Sequence, residues 1–174
     1  MTAKEMSEIF SILMLAFPSA EMFKGGVERL MPTIKLWAKA LPEVDFWTGK
    51  QAVMQLCRTC RYPPTIAEFR EQAEKVTSEL QRRLWVTWSD IRFSDNKPGG
   101  LAAYYEGLQA GNPARAAIDA MGGPDKLISW SKDVGGKTVS CWNYEEFKRQ
   151  FFVAMKNLPE LPAGDRKALT GGAR

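Results

Sequence analysis

Apolar residues in this chain recur mostly at helical spacing. Met6, Ile9, Phe10, Leu13, Met14 and Phe17 hold the i, i+3, i+4, i+7 positions of one stripe, opened by Thr2 and Glu5 as a capping box and stopped at Pro18. Val27, Leu30 and Met31 predict a short helix between Gly25-Gly26 and Pro32. The fixed φ of Pro32 suits the first turn of a further helix bearing Ile34, Leu36, Trp37 and Leu41. Asp45 predicts the cap of another, in which Phe46, Val53, Leu56, Cys57 and Cys60 share a face.

Between Arg61 and Glu71 the chain carries a helix stop, a stiff turn and a helix start. Pro63 and Pro64 lack an N–H, and a residue before proline is pushed out of the α region, so the preceding helix must end near Cys60 or Arg61. Thr65 and Glu68 then form a second capping box. From Ile66 the positions Phe69, Ala73, Val76, Leu80, Leu84, Trp88 and Ile91 keep a 3.6-residue period over about seven turns, predicting a helix of ~26 residues that leaves a first bundle and enters a second.

Turn formers from Ser94 to Gly100 interrupt the pattern. Leu101, Tyr104, Tyr105 and Leu108 make a short stripe; Asn112 and Pro113 open a helix that Gly122-Gly123 ends; Pro124 opens a short one bearing Leu127, Ile128 and Trp130. Asn143 and Glu146 stand at cap and third position before Tyr144, Phe147, Phe151, Met155 and Leu158, with Pro159 as the stop. Strands are expected at most as a short pair around Lys137 to Cys141. The fold class is therefore all-α. The predicted division is an N-terminal helical bundle over 1–75, the long connecting helix and a C-terminal helical domain over 76–158, and a disordered tail over 159–174.

The first part of this pattern also carries a resemblance. A short amphipathic helix ending Ala16-Phe17-Pro18, a helix around Lys35–Leu41, a helix around Gln51–Leu56 and then Tyr62-Pro63-Pro64-Thr65-Ile66-Ala67-Glu68-Phe69-Arg70 resemble the phage-encoded loader/inhibitor proteins of the DnaB-type replicative helicase, over roughly residues 1–75. The resemblance implies a noncatalytic bacteriophage or prophage DNA replication protein acting in the host bacterial cytosol. It would bind the hexameric helicase in its ATP form, restrain it and hand it to an origin-binding initiator and single-strand-binding protein. Residues 101–158 depart from the family, whose C-terminal region is polar, and look instead like the C-terminal part of some phage replisome organisers.

Composition narrows the chemistry. In 174 residues, 24 basic and 20 acidic side chains leave a net charge of +4 with the signs interspersed, which gives weak support for direct nucleic-acid binding. No apolar run approaches the ~18 residues of a membrane helix, and Glu5 and Glu8 stand where a signal peptide is basic, so a cytoplasmic protein is expected. Histidine is absent, which removes His-based acid–base chemistry and Ser-His-Asp triads. With three cysteines and no histidine, Cys57-x-x-Cys60 and Cys141 cannot complete a four-ligand zinc site within one subunit, and inert half-buried thiols are expected. Glu145-Glu146 and Asp90 with Asp95 read as solvated or helix-terminal charge.

Gly135-Gly136-Lys137-Thr138 ends like a phosphate-binding loop, but Ser131 replaces its first glycine and a helix, not a strand, is expected before it. Thr48-Gly49-Lys50-Gln51 fails likewise. No enzyme and no cofactor are expected. The residues expected to meet a partner are Arg58, Arg61 and Tyr62 beside the Pro-Pro turn, Arg82, Arg83 and Trp85 on the long helix, and Phe152, since Trp85 and Phe152 lie off the apolar stripes. Two other classes stay open: a DNA-binding replisome organiser, and a helical phage assembly or chaperone protein. Lys137→Ala is expected to leave function unchanged; a wild-type protein that binds ATP in equilibrium dialysis and loses it in this variant overturns that reading.

Overall fold

A computed structural model describes residues 1–157, apart from the side chains of Val27 and Lys137; the expected tail over 159–174 lies outside the described residues. The elements are α1 (Ala3–Ala16), a 3-10 turn (Glu21–Phe23), α2 (Gly26–Ala40), α3 (Phe46–Thr59), α4 (Ile66–Ser94), α5 (Gly100–Glu106), α6 (Pro113–Met121), a second 3-10 turn (Pro124–Leu127), β1 (Ile128–Val134), β2 (Lys137–Trp142) and α7 (Tyr144–Asn157). The protein is mostly helical, with one antiparallel hairpin. It forms two compact units, Met1–Arg82 and Arg83–Arg174, so α4 begins in one and ends in the other.

The first unit buries the stripes expected of it. Met6, Ile9, Phe10 and Leu13 of α1 meet Leu30, Ile34 and Trp37 of α2, Ala52, Val53 and Leu56 of α3, and Phe69 and Ala73 of α4. Trp37 stands edge-on between Phe10, at 5.2 Å, and Phe69, at 5.5 Å between ring centroids. Gly49 makes room for this packing: a Cβ there would lie 2.9 Å from the Met1 sulfur and 3.4 Å from the Phe69 ring.

The local signals work as hydrogen bonds. Thr2 and Glu5 bond reciprocally, and Asp45 accepts from the N–H groups of Trp47 and Thr48. α3 ends at Thr59, with Cys60 extended ahead of the prolines. At the start of α4 the Thr65 N–H donates to the Glu68 carboxylate at 2.7 Å and the Glu68 N–H donates back to the Thr65 hydroxyl at 3.3 Å. One expectation fails here. α2 runs unbroken from Gly26 to Ala40 with Pro32 inside it. Pro32 is exposed, so the Glu28 carbonyl it leaves without a helical donor lies on the solvated side of α2, where water can take the missing bond.

In the second unit Leu84, Trp88 and Ile91 of α4 pack with Ala114, Ala117 and Ile118 of α6, Leu127, and Phe147 and Phe151 of α7. Trp88 is the hub, 5.7 Å from Trp142, 5.1 Å from Tyr144 and 5.2 Å from Phe147. α5 is tied to α6 by Tyr105, whose hydroxyl donates to Asp119, and by Arg115, which donates to the Leu108 carbonyl and lies 4.8 Å over the Tyr105 ring. Burial, with Asp90 nearby, pushes the Tyr104 hydroxyl up to about 12.

The helix expected from Pro124 is also corrected. Only Pro124–Leu127 turns, as 3-10; Ile128 and Trp130 lie in β1, so the strand pair is longer than expected and starts earlier. Asn143 precedes α7, but its amide donates to the Lys126 carbonyl and its oxygen accepts from the Ser129 hydroxyl, so it fastens the root of the hairpin where a cap on Glu146 was expected.

The Thr65 N–H and hydroxyl hold the Glu68 carboxyl below its usual range. A carboxyl depressed in the folded state stabilises it above the unfolded pKa, and that contribution is lost as pH falls through the folded value. Glu68→Gln is therefore expected to lower the midpoint of thermal unfolding at neutral pH and to differ less from wild type under acid, as read by circular dichroism melts across pH.

Candidate partner-binding surfaces

The Pro-Pro turn builds the first surface. Because neither proline can extend α3, the chain between Thr59 and Thr65 is held open, with Pro64 buried and Arg58, Arg61 and Tyr62 outside. Tyr62 is 71 % exposed, and the Arg61 guanidinium lies 5.8 Å over its ring. The far end of the turn is anchored by Arg70, which donates to Glu43 at 3.1 Å and to the Ala40 carbonyl at 2.8 Å. Glu43 titrates below the usual carboxylate range through its own backbone N–H and the Arg70 bond. Arg58, Arg61 and Tyr62 thus stand together on a braced turn.

The second surface is on α4. Arg82 grips Glu79 with two bonds, at 2.8 and 2.9 Å, which raises the guanidinium pKa further. Arg82 closes the first unit, whereas half-buried Arg83 and exposed Trp85 belong to the second, so the expected trio is divided. Within the second unit Leu84, Trp88 and Ile91 face the core, and the opposite side of the same helix carries Trp85, Val86 and Phe93. Trp85 is 67 % and Phe93 68 % exposed. Val86 and Phe93, seven residues apart, return to one face after two turns, and Trp85 flanks them. The sequence reading missed Val86 and Phe93; the signal was a second apolar stripe where a solvated helix face carries charge.

Phe152 is placed differently. It is half-buried against the second core, 6.4 Å from Phe151, and presents only part of its ring. The hairpin face carrying Trp130, Val134 and Val139 is exposed and was also missed.

Nothing among the described residues assembles a reaction centre. No group of His, Cys, Asp and Glu there could hold a metal ion. Cys57 and Cys60 are half-buried free thiols, and burial pushes Cys57 up, away from the reactive thiolate. Glu145 pairs with Lys148 and Glu146 with Arg149, as helix-surface ion pairs. Gly135 and Gly136, both at positive φ, form the tip of the hairpin, so Gly-Lys-Thr enters a strand where a phosphate-binding loop opens a helix. The segment before that tip is a strand, not the helix expected there. The depression along Glu71, Lys75, Ser78 and Arg82 is a charged groove on α4. No helix among the described residues is long and apolar enough to cross a membrane.

Residues 1–70 match the family model for the N-terminal domain of the phage gene-39-protein helicase loaders, in agreement with the resemblance drawn over residues 1–75. No curated protein and no solved structure matches the chain.

Exposed and half-buried aromatics should separate in stability. Tyr62→Ala and Trp85→Ala are expected to shift folding free energy by no more than about 0.5 kcal/mol, as surface changes do. Phe152→Ala should cost more, and comparison of urea midpoints checks the order.

Proposed function

We propose, on the premise that residues 1–70 are the N-terminal domain of a phage helicase loader, that this protein binds a hexameric DnaB-type replicative helicase, restrains it and loads it at an origin. The observation that carries the reading is the family match, which falls within the first compact unit. In this reading the protein is a noncatalytic adaptor in the cytosol of a phage-infected or lysogenic bacterium. It hands the helicase to an initiator and to single-strand-binding protein.

The contacts assigned to the helicase are Tyr62 with Arg58 and Arg61 on the braced turn, and Trp85 with Val86 and Phe93 on α4. Two physical features support them. Tyr, Trp and Arg supply most binding hot spots, because they bury large area with few rotatable bonds or in a planar fork. Both sets sit on elements anchored from behind, the turn by Pro64 and Arg70 and the helix by Trp88, so little order is lost on docking. Arg82, Arg83 and Phe152 are assigned lesser roles, since Arg82 is engaged by Glu79 and Phe152 is half-buried.

Size-exclusion chromatography with light scattering, on this protein mixed with the hexameric helicase of its host, tests the reading. A complex that forms with ATP and weakens without it is expected; absence of any complex in both conditions refutes the proposal. Tyr62→Ala with Arg61→Ala, and separately Trp85→Ala with Phe93→Ala, are each expected to weaken the complex tenfold or more. Whichever pair leaves affinity intact removes that surface from the interface.

A further inference from the structure

The β1–β2 hairpin has an unusual division of faces. Ile128 pairs with Trp142 and Trp130 with Cys141, so two steps along β1 match one step along β2, a bulge at Ser129. Side chains opposite one another in an antiparallel pair lie on one face, and consecutive residues lie on opposite faces. Ile128 and Trp142 therefore share one face, and Trp142 turns it toward Trp88 and the core. Past the bulge the alternation is reversed. Trp130, Lys132 and Val134 of β1, with Val139 and Cys141 of β2, occupy the outward face, and Ser131, Asp133, Thr138 and Ser140 occupy the other.

An ordinary solvated hairpin would carry its polar residues outward. Here Trp130 is 54 %, Val134 57 % and Val139 48 % exposed. Lys132 lies between Trp130 and Val134 along β1 and opposite Val139 in the register, and Lys137 holds the register position opposite Val134. Neither strand places a carboxylate on this face, because the alternation sends Asp133 to the other side. At the root Arg92 lies 5.1 Å over the Trp142 ring.

We propose that the outward face of the hairpin binds single-stranded nucleic acid, with Trp130 stacking on a base and Lys132 meeting a phosphate. Charge complementarity selects this occupant: the face offers positive charge without acid, interleaved with an aromatic ring and flat β-branched side chains. Single strands bind such surfaces by base stacking and phosphate neutralisation without sequence readout. An acidic peptide would satisfy Lys132 but would not match the flat indole and valine surface as a base ring does.

The test is fluorescence anisotropy of a labelled oligo-dT of about 20 nucleotides with the full chain, without helicase, across a salt series. Wild type is expected to bind at low salt. Trp130→Ala should weaken binding about tenfold, the loss of one base stack. Lys132→Gln should lower the steepness of log affinity against log salt by about 0.7, the share of one phosphate contact on a single strand. Both positions are exposed, and unchanged circular dichroism melts establish that each variant is folded. Absence of oligo-dT binding by wild type overturns the proposal, as does a folded Trp130→Ala protein that binds like wild type. So does binding of a poly-glutamate peptide, but not oligo-dT, that Trp130→Ala abolishes; the face would then belong to an acidic protein segment.

Discussion

The first unit depends on the burial of one indole. Trp37 lies between Phe10 of α1 and Phe69 of α4, so a single side chain of α2 fixes the spacing of two other helices. Large aromatic side chains bury 150–250 Å² each, at roughly 25 cal/mol per Å², and edge-to-face pairs add about 0.5–1.5 kcal/mol beyond that area. The arrangement also constrains α3, which must pass close to Phe69 and does so at Gly49, where any larger residue would meet Met1. Once Phe69 is held, Thr65 and the two prolines before it have little freedom. Tyr62 is exposed because the chain on either side of it is fixed.

The second unit repeats this logic around Trp88, with a different consequence for its surfaces. Trp88 collects Trp142, Tyr144 and Phe147, so one α4 residue joins the hairpin and α7. The far side of α4 and the far side of the hairpin are then left with apolar side chains and nothing among the described residues of this unit to cover them. Scattered exposed hydrophobes are ordinary, but clustered ones on supported elements mark interaction surfaces. The two clusters differ in chemistry. The α4 stripe is aromatic and aliphatic and suits a protein groove, whereas the hairpin face interleaves lysine with tryptophan and valine.

The legible parts of this architecture were those decided locally. Thr2, Asp45 and Thr65 cap because a short polar side chain at a helix start reaches the free N–H groups wherever the rest of the chain lies. The stripes of α1, α4 and α7 were legible because long periodic runs leave one possible face. Pro32 misled because its cost depends on whether water can reach the orphaned carbonyl, a tertiary fact. Ile128 and Trp130 misled because a three-residue apolar run fits a helix or a strand equally, and the bulge at Ser129 that decides their faces is a property of pairing with β2. The partner-facing arginines were legible only as charge. That Arg82 is engaged by Glu79 while Arg61 lies over Tyr62 required the fold.

The distribution of ion pairs bears on what can carry specificity. Most of those described link residues three or four apart on one helix, as in Glu71 with Lys75 or Glu146 with Arg149, and exposed pairs of this kind contribute roughly 0–1 kcal/mol. The pair that spans the first unit is Arg70 with Glu43, reinforced by the bond from Arg70 to the Ala40 carbonyl. A net charge of +4 dispersed in this way steers an anionic partner weakly and selects among partners hardly at all. Selectivity is left to the exposed rings. An aromatic anchor braced from behind discriminates by shape, and in this protein such anchors stand at Tyr62, along Trp85 to Phe93, and at Trp130, each supported by residues buried in its own unit.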